Sequence, residues 1–98
     1  MLVLNAQMAS VLQLSAYARA SGDRSAGDTV REMLTATRGT LPAFDLGCWS
    51  RYSLGGNRAT THYHAYHVRL LRQLATLTGD GLYATFAERW NRGLQSGC

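Results

Sequence analysis

The sequence predicts an all-α fold: two helical hairpins, joined by a long ordered loop, forming part of an α/α toroid. Three observations carry this. Apolar residues recur at helical spacing in four windows. The tripeptides Ser21-Gly22-Asp23 and Thr78-Gly79-Asp80 punctuate both hairpins in the same way. The connection from Thr40 to Thr60 is too long for a plain helix–helix link.

The first helix is expected over about Val3 to Ala20, with Leu4, Met8, Val11, Leu12 and Ser15 on one stripe. Gly22 supplies a left-handed stop, and Asp23 can cap the next helix. The second helix runs from about Ser25 to Arg38, with Val30, Met33, Leu34 and Thr37 facing inward and Gly39 ending it. The third covers Thr61 to Leu77, and the fourth Leu82 to Leu94, with Leu82, Phe86, Ala87, Trp90 and Leu94 turned inward. Phe44, Leu46, Trp49, Tyr52 and Leu54 make the intervening loop too apolar for disorder, and a short strand pair is expected within it. The recurring [Ser/Thr]-Gly-Asp is a short internal repeat, as in tandem helical arrays. Two hairpins cannot close a ring, so the 98 residues fit a part of a larger array better than a finished domain, with an exposed apolar face on the first or fourth helix and a tendency to self-associate.

Composition narrows the class. The chain is 46% hydrophobic and 16% charged, which is globular rather than disordered. All ten basic residues are arginine and the net charge is +4; arginine forks suit carboxylate, sulfate or phosphate. Residues 2 to 18 carry no charge, but Asn5, Gln7, Ser10, Gln13 and Ser15 make the stretch too polar to span a bilayer, and no basic run precedes it as in a signal peptide. Cys48 and Cys98 form no metal spacing and no framework and read as free thiols.

The residues that could carry chemistry cluster around the loop. Tyr52 lies in Trp49-Ser50-Arg51-Tyr52-Ser53-Leu54, and Tyr63 in His62-Tyr63-His64-Ala65-Tyr66-His67. His64 and His67 share a helical face at i,i+3, but His62 points elsewhere and no carboxylate or cysteine motif joins them, so no metal site is expected. A bland reading stands beside the chemical one: Tyr63, His67 and Leu70 fit amphipathic packing, Trp49 and Tyr52 fit loop anchors, and Arg51 and Arg58 fit solvated charges. No phosphate loop, Ser-His-Asp set or nucleic-acid module is present in the sequence.

Asp45-Leu46-Gly47-Cys48-Trp49-Ser50-Arg51-Tyr52-Ser53-Leu54, followed by Tyr63-His64-Ala65-Tyr66-His67, resembles the C-terminal domain of D-glucuronyl C5-epimerases. Val3-Leu4-Asn5 is similar to that family's V-L-N-G helix start, Thr40-Leu41-Pro42 with Asp45 to its L-P-x-x-D approach, and His67 with Leu70, Leu71 and Leu74 to its H-x-x-Q-L helix. Thr78-Gly79-Asp80 and Glu88-Arg89-Trp90 resemble its closing hairpin. The resemblance departs at Ser53-Leu54-Gly55-Gly56, where the animal enzymes carry D-L-R-H after the tyrosine. A third family tyrosine falls just upstream of V-L-N.

The resemblance implies an α/α toroid and inversion at C5 of glucuronate units in a heparan- or heparosan-type polymer, an anionic uronate-containing polysaccharide. It implies tyrosine acid and base groups at Tyr52 and Tyr63, placed on the two faces of the sugar, without a cofactor. Removing a proton beside a carboxylate builds charge on that carboxylate, which arginine neutralises well. Tyrosine, with an ordinary pKa of about 10, suits a weak carbon acid when a cation is close. Arg51, Arg58, His64, His67 and Asn57 are the candidate substrate-binding residues. The alternatives are a catalytically inactive glycan-binding or interaction module on the same fold, and a small basic helical protein with no glycan role.

Overall fold

The two Gly-Asp turns organise the molecule. The computed structural model describes residues 2–98 and has two helical hairpins. The first hairpin is α1 (Leu4–Ser21) and α2 (Arg24–Thr40), and the second is α3 (Thr61–Thr78) and α4 (Gly81–Ser96). All three residues of each tripeptide act alike in both copies. Gly22 and Gly79 adopt φ of +70° and +69° and close the preceding helix through their N–H groups. Such left-handed backbone strains residues that carry a Cβ. Asp23 and Asp80 then cap α2 and α4 through their carboxylates. Ser21 and Thr78 in turn accept the N–H of the capping aspartate, at 3.2 and 3.0 Å.

Gly39, expected to end the second helix, keeps a right-handed backbone. The helix instead runs on through Thr40 into a single 3-10 turn, Leu41–Phe44, in which Pro42 sits near the start, where its missing N–H costs nothing. This turn drives Leu41 and Phe44 into full burial.

Leu4, Met8 and Val11 of α1, Val30 of α2, Leu70, Leu71 and Leu74 of α3, and Phe86, Ala87 and Trp90 of α4 form one core with Leu41 and Phe44. Tyr83, not among the residues expected to face inward, is also buried, with its hydroxyl toward the Leu34 carbonyl at 3.5 Å. The arrangement is all-α and compatible with part of an α/α toroid: α1 packs on both α2 and α3, and α3 on α4. Among the exposed positions of α1, Ala6, Ala16, Tyr17 and Ala20 are apolar and Ser10, Gln13, Arg19 and Ser21 are polar, while α4 exposes Gly81, Ala84, Thr85, Glu88, Arg92, Gln95 and Ser96. No helix among the described residues is long and apolar enough to cross a membrane.

The connecting loop is ordered by backbone pairing, although only isolated antiparallel bridges form where a strand pair was expected. These are Asp45–Ser50, Arg51–Arg58 and Val3–Ser53. The last ties the start of the described chain to the loop: Leu4 N–H donates to the Tyr52 carbonyl at 3.0 Å and Leu54 N–H to the Leu2 carbonyl at 2.8 Å. The start of α1 is therefore held against the loop that leads into α3.

The cysteines are not free thiols: Cys48 and Cys98 are joined in a disulfide across 50 residues of sequence, with Cα atoms 5.6 Å apart. The loop's path makes this possible. The Cys48 carbonyl lies against Gly93 so closely that a Cβ at that position would collide with it. Gly93 thus lets the loop lie on the last turn of α4, and Gly97, at φ +74°, redirects the chain after that helix toward Cys98.

Two outcomes follow for stability. Closing a loop of this size restricts the unfolded chain by an amount worth about 4 kcal/mol in the chain-entropy view. Adding reductant, or the Cys98→Ser substitution, should lower the thermal midpoint by ~10 °C or more; an unchanged midpoint would show that the link contributes nothing. Gly93→Ala should cost about 1–3 kcal/mol in denaturant titration by pushing the loop off α4, whereas Gly27→Ala, whose added methyl meets nothing, should not destabilise.

Candidate active site

The tyrosine pair is assembled where the loop meets the first turn of α3. Thr60 caps that helix, its hydroxyl accepting the Tyr63 N–H at 3.4 Å, so Tyr63 sits at a fixed point of the opening turn. Tyr52 is held on both sides of its backbone: its N–H donates to the Asn57 carbonyl at 2.9 Å, and its carbonyl accepts from Leu4. The two phenol rings meet edge to face, with centroids 4.9 Å apart and planes at 68°. Both are half-buried. Exposed His62 packs against Tyr63 in the same manner at 5.2 Å and 80°. The structure thus brings Tyr52 and Tyr63 together, but with rings in contact; no sugar ring fits between them.

The basic candidates are placed differently from one another. Half-buried Arg51 turns into its own loop, with Nη1 donating to the Gly56 carbonyl at 2.7 Å. Arg58 is exposed and stacks over the Trp49 indole, its guanidinium carbon 4.2 Å from the ring centroid. Asn57 is exposed next to it.

His64 and His67 do share one helical face, but it faces the interior. Both are fully buried, which corrects the expectation that they contact substrate. Instead they fasten the loop to the helices. The Ser50 hydroxyl lies 2.8 Å from Nδ1 of each imidazole, and His64 Nε2 lies 2.8 Å from the Trp90 carbonyl. A carbonyl can only accept, so Nε2 of His64 carries the proton and its Nδ1 is the acceptor. Ser50 Oγ–H therefore donates to His64, and Nδ1–H of His67 donates to Ser50 Oγ. That leaves the Nε2 lone pair of His67 buried without a partner. The Trp49 indole lies flat on His64, with centroids 3.7 Å apart and planes at 6°, while its N–H donates to the Ala59 carbonyl at 2.8 Å.

Neither Ser50 nor Asp45 stood out as a candidate by residue type. The Asp45 carboxylate accepts from the Trp90 indole N–H at 2.9 Å and from Gly47 N–H at 3.0 Å, and it also pairs with Arg89. Asp45-x-Gly47 is a side-chain-closed turn that the sequence does signal. Nothing local announces Ser50, because its partners lie 14 and 17 residues away.

Burial dominates the electrostatics of this network. It lowers the pKa of His67 to about 4, with His64 adding to the effect, and it lowers that of His64 as well. Both rings are neutral when folded and protonate near 6.5 when unfolded. Unfolding therefore takes up protons below that value. The stability contributed by the neutral rings is present above pH ~6.5 and is lost as pH falls toward 4, by about 3 kcal/mol for His67. Denaturant midpoints measured from pH 7.5 to 4.5 should fall accordingly and should flatten in His67→Gln; an equally steep fall in the variant would remove His67 as the cause.

The family model described as D-glucuronyl C5-epimerase C-terminus matches residues 1–92. An uncharacterized protein of Methanocaldococcus jannaschii is 30% identical over 88 residues, covering 90% of this chain and 29% of that protein. This chain therefore spans less than a third of that relative's length. No solved structure matches. With nearly its whole length matched, from the helix start at Val3-Leu4-Asn5 to the closing hairpin, the chain belongs to the D-glucuronyl C5-epimerase C-terminus family.

Proposed function

We propose that this chain supplies the tyrosine-bearing side of a uronate C5-epimerase site, acting on glucuronate units of a heparan- or heparosan-type glycan. The contact between Tyr52 and Tyr63 carries the reading. Two half-exposed phenols sit side by side, each on backbone fastened independently, at the end of a loop anchored to the interior. Proton transfer at carbon needs a base held in place, and this pair meets that need.

In this mechanism a phenolate takes the C5 proton, and the electron pair left on carbon spreads into the adjoining carboxylate. Return of a proton to the opposite face of C5 gives the inverted sugar. Because the rings touch, Tyr52 and Tyr63 belong on one face of the sugar, and the opposite face needs a further group. The family's third tyrosine, upstream of V-L-N, is suited to this. The pairing of Leu2 and Leu4 with Leu54 and Tyr52 runs the entering chain alongside the tyrosine loop. Arg58 suits the uronate carboxylate better than Arg51. Contact with the Trp49 ring consumes none of its conventional N–H donors to oxygen and so leaves the fork for a carboxylate, whereas Arg51 already spends Nη1 on Gly56.

The second reading, glycan binding without catalysis on the same fold, is favoured by the closed ring contact itself. Incubating the whole gene product with heparosan in deuterated water separates the two. Catalysis should place deuterium at C5, and Tyr63→Phe should reduce the rate ~100-fold or more. Binding with no incorporation would establish the second reading. Incorporation unchanged in both Tyr63→Phe and Tyr52→Phe would remove the tyrosines from the reaction.

A further inference from the structure

An open groove of about 480 Å³ lies between α1 and α3. Leu12 and Ala16 of α1 and Leu77 of α3 contribute an apolar floor, and Arg19, Arg69 and Arg72 line it. All three arginines are exposed. None takes part in an ion pair among the described residues, where Arg31, Arg38 and Arg89 hold the pairs that form. Neither α1 nor α3 contains a single Asp or Glu. The groove is therefore cationic without local compensation, which sets the sign of its ligand.

The groove also continues the tyrosine site. Tyr63, Tyr66, Arg69 and Gln73 follow one another on α3 at intervals of three or four residues, one face of the helix. The contact of the Arg69 guanidinium with the Tyr66 ring, at 5.0 Å, joins the two regions. From Tyr63 to Arg72 the helix rises ~14 Å, more than one sugar unit.

We infer that the α1–α3 groove is an anionic-glycan track: Arg69, Arg72 and Arg19 hold carboxylate or sulfate groups of the same polymer chain whose uronate lies at the tyrosines. The inference rests on the reading of the tyrosine pair as a glycan site. Charge and continuity with that pair select a polyanionic glycan over an acidic helix of another protein, which the same groove shape would also admit. The arginines bind remote units of the polymer and do not touch the reacting carbon.

The test measures binding of fluorescent heparosan and its N-sulfated form to the whole gene product at two salt concentrations, with neutral dextran as control. Arg69→Gln with Arg72→Gln should weaken both anionic polymers at least tenfold and flatten the salt dependence. The pair Arg24→Gln with Arg92→Gln, equal in charge change but outside the groove, should leave affinity within twofold. Circular dichroism checks that each variant keeps its helices, and Arg69→Lys with Arg72→Lys, which keeps the charge, should retain part of the affinity. Equal affinity for wild type and the groove variant overturns the track. So does a groove that binds an acidic amphipathic peptide but no glycan. Tyrosine-dependent deuterium incorporation with groove-independent binding would reject the track and keep the epimerase reading. Arginine-dependent binding with no incorporation would do the reverse.

Discussion

The loop that carries Tyr52 is fastened to α3 and α4 through buried polar groups, and the Ser50 hydroxyl is the one on which the others depend. It receives a proton from His67 and gives one to His64, which in turn donates to the Trp90 carbonyl. Each bond fixes the direction of the next. The chain therefore has a single arrangement of protons as long as both rings stay neutral, and burial keeps them neutral. A Ser50→Ala substitution would strand the buried Nδ1 of His67, while Nδ1 of His64 would keep the backbone N–H of residue 50 at 3.2 Å. The unpartnered Nε2 of His67 shows that even the intact network carries an unmet polar cost.

Two other attachments bear on the same stretch of chain. Asp45 grips the Trp90 indole and Arg89 just before the loop turns back, and Cys48 is bonded to Cys98 after α4. The second relies on the close approach of Cys48 to α4 that Gly93 permits. The loop thus lies over α4 while its far end returns to start α3, and its middle pairs with the chain entering α1. Four points of attachment on three helices explain how a 16-residue connection without regular strands stays ordered.

Much of the fold was legible because its signals are local. Helical spacing placed all four helices within a residue or two, and the repeated tripeptides marked both hairpin turns for the right physical reason. Gly39 misled because a glycine ends a helix only where the chain turns left-handed, and here Thr40 and Pro42 carry it onward right-handed. The site was legible only in part. The i,i+3 spacing put His64 and His67 on one face correctly, but spacing alone does not say whether a face meets solvent or core. The disulfide and Ser50 depend on where the loop travels, and no local pattern encodes that path. The family resemblance located Tyr52 and Tyr63, yet not the ring contact between them.

That contact has a mechanical consequence. Tyr63 belongs to the first turn of α3, and Tyr52 to a loop held by the buried face of the same helix through His64 and His67. The relative placement of the two phenols is thus settled within one loop–helix unit and does not require a closed helical ring around it. What a ring would add is the opposite wall: a surface facing the pair across the sugar, and the exclusion of water that strengthens each charge interaction there. The chain spans 29% of the length of its Methanocaldococcus relative. In the proposed epimerase, this unit therefore presents a prearranged pair of phenols, and the remainder of the site is built against it.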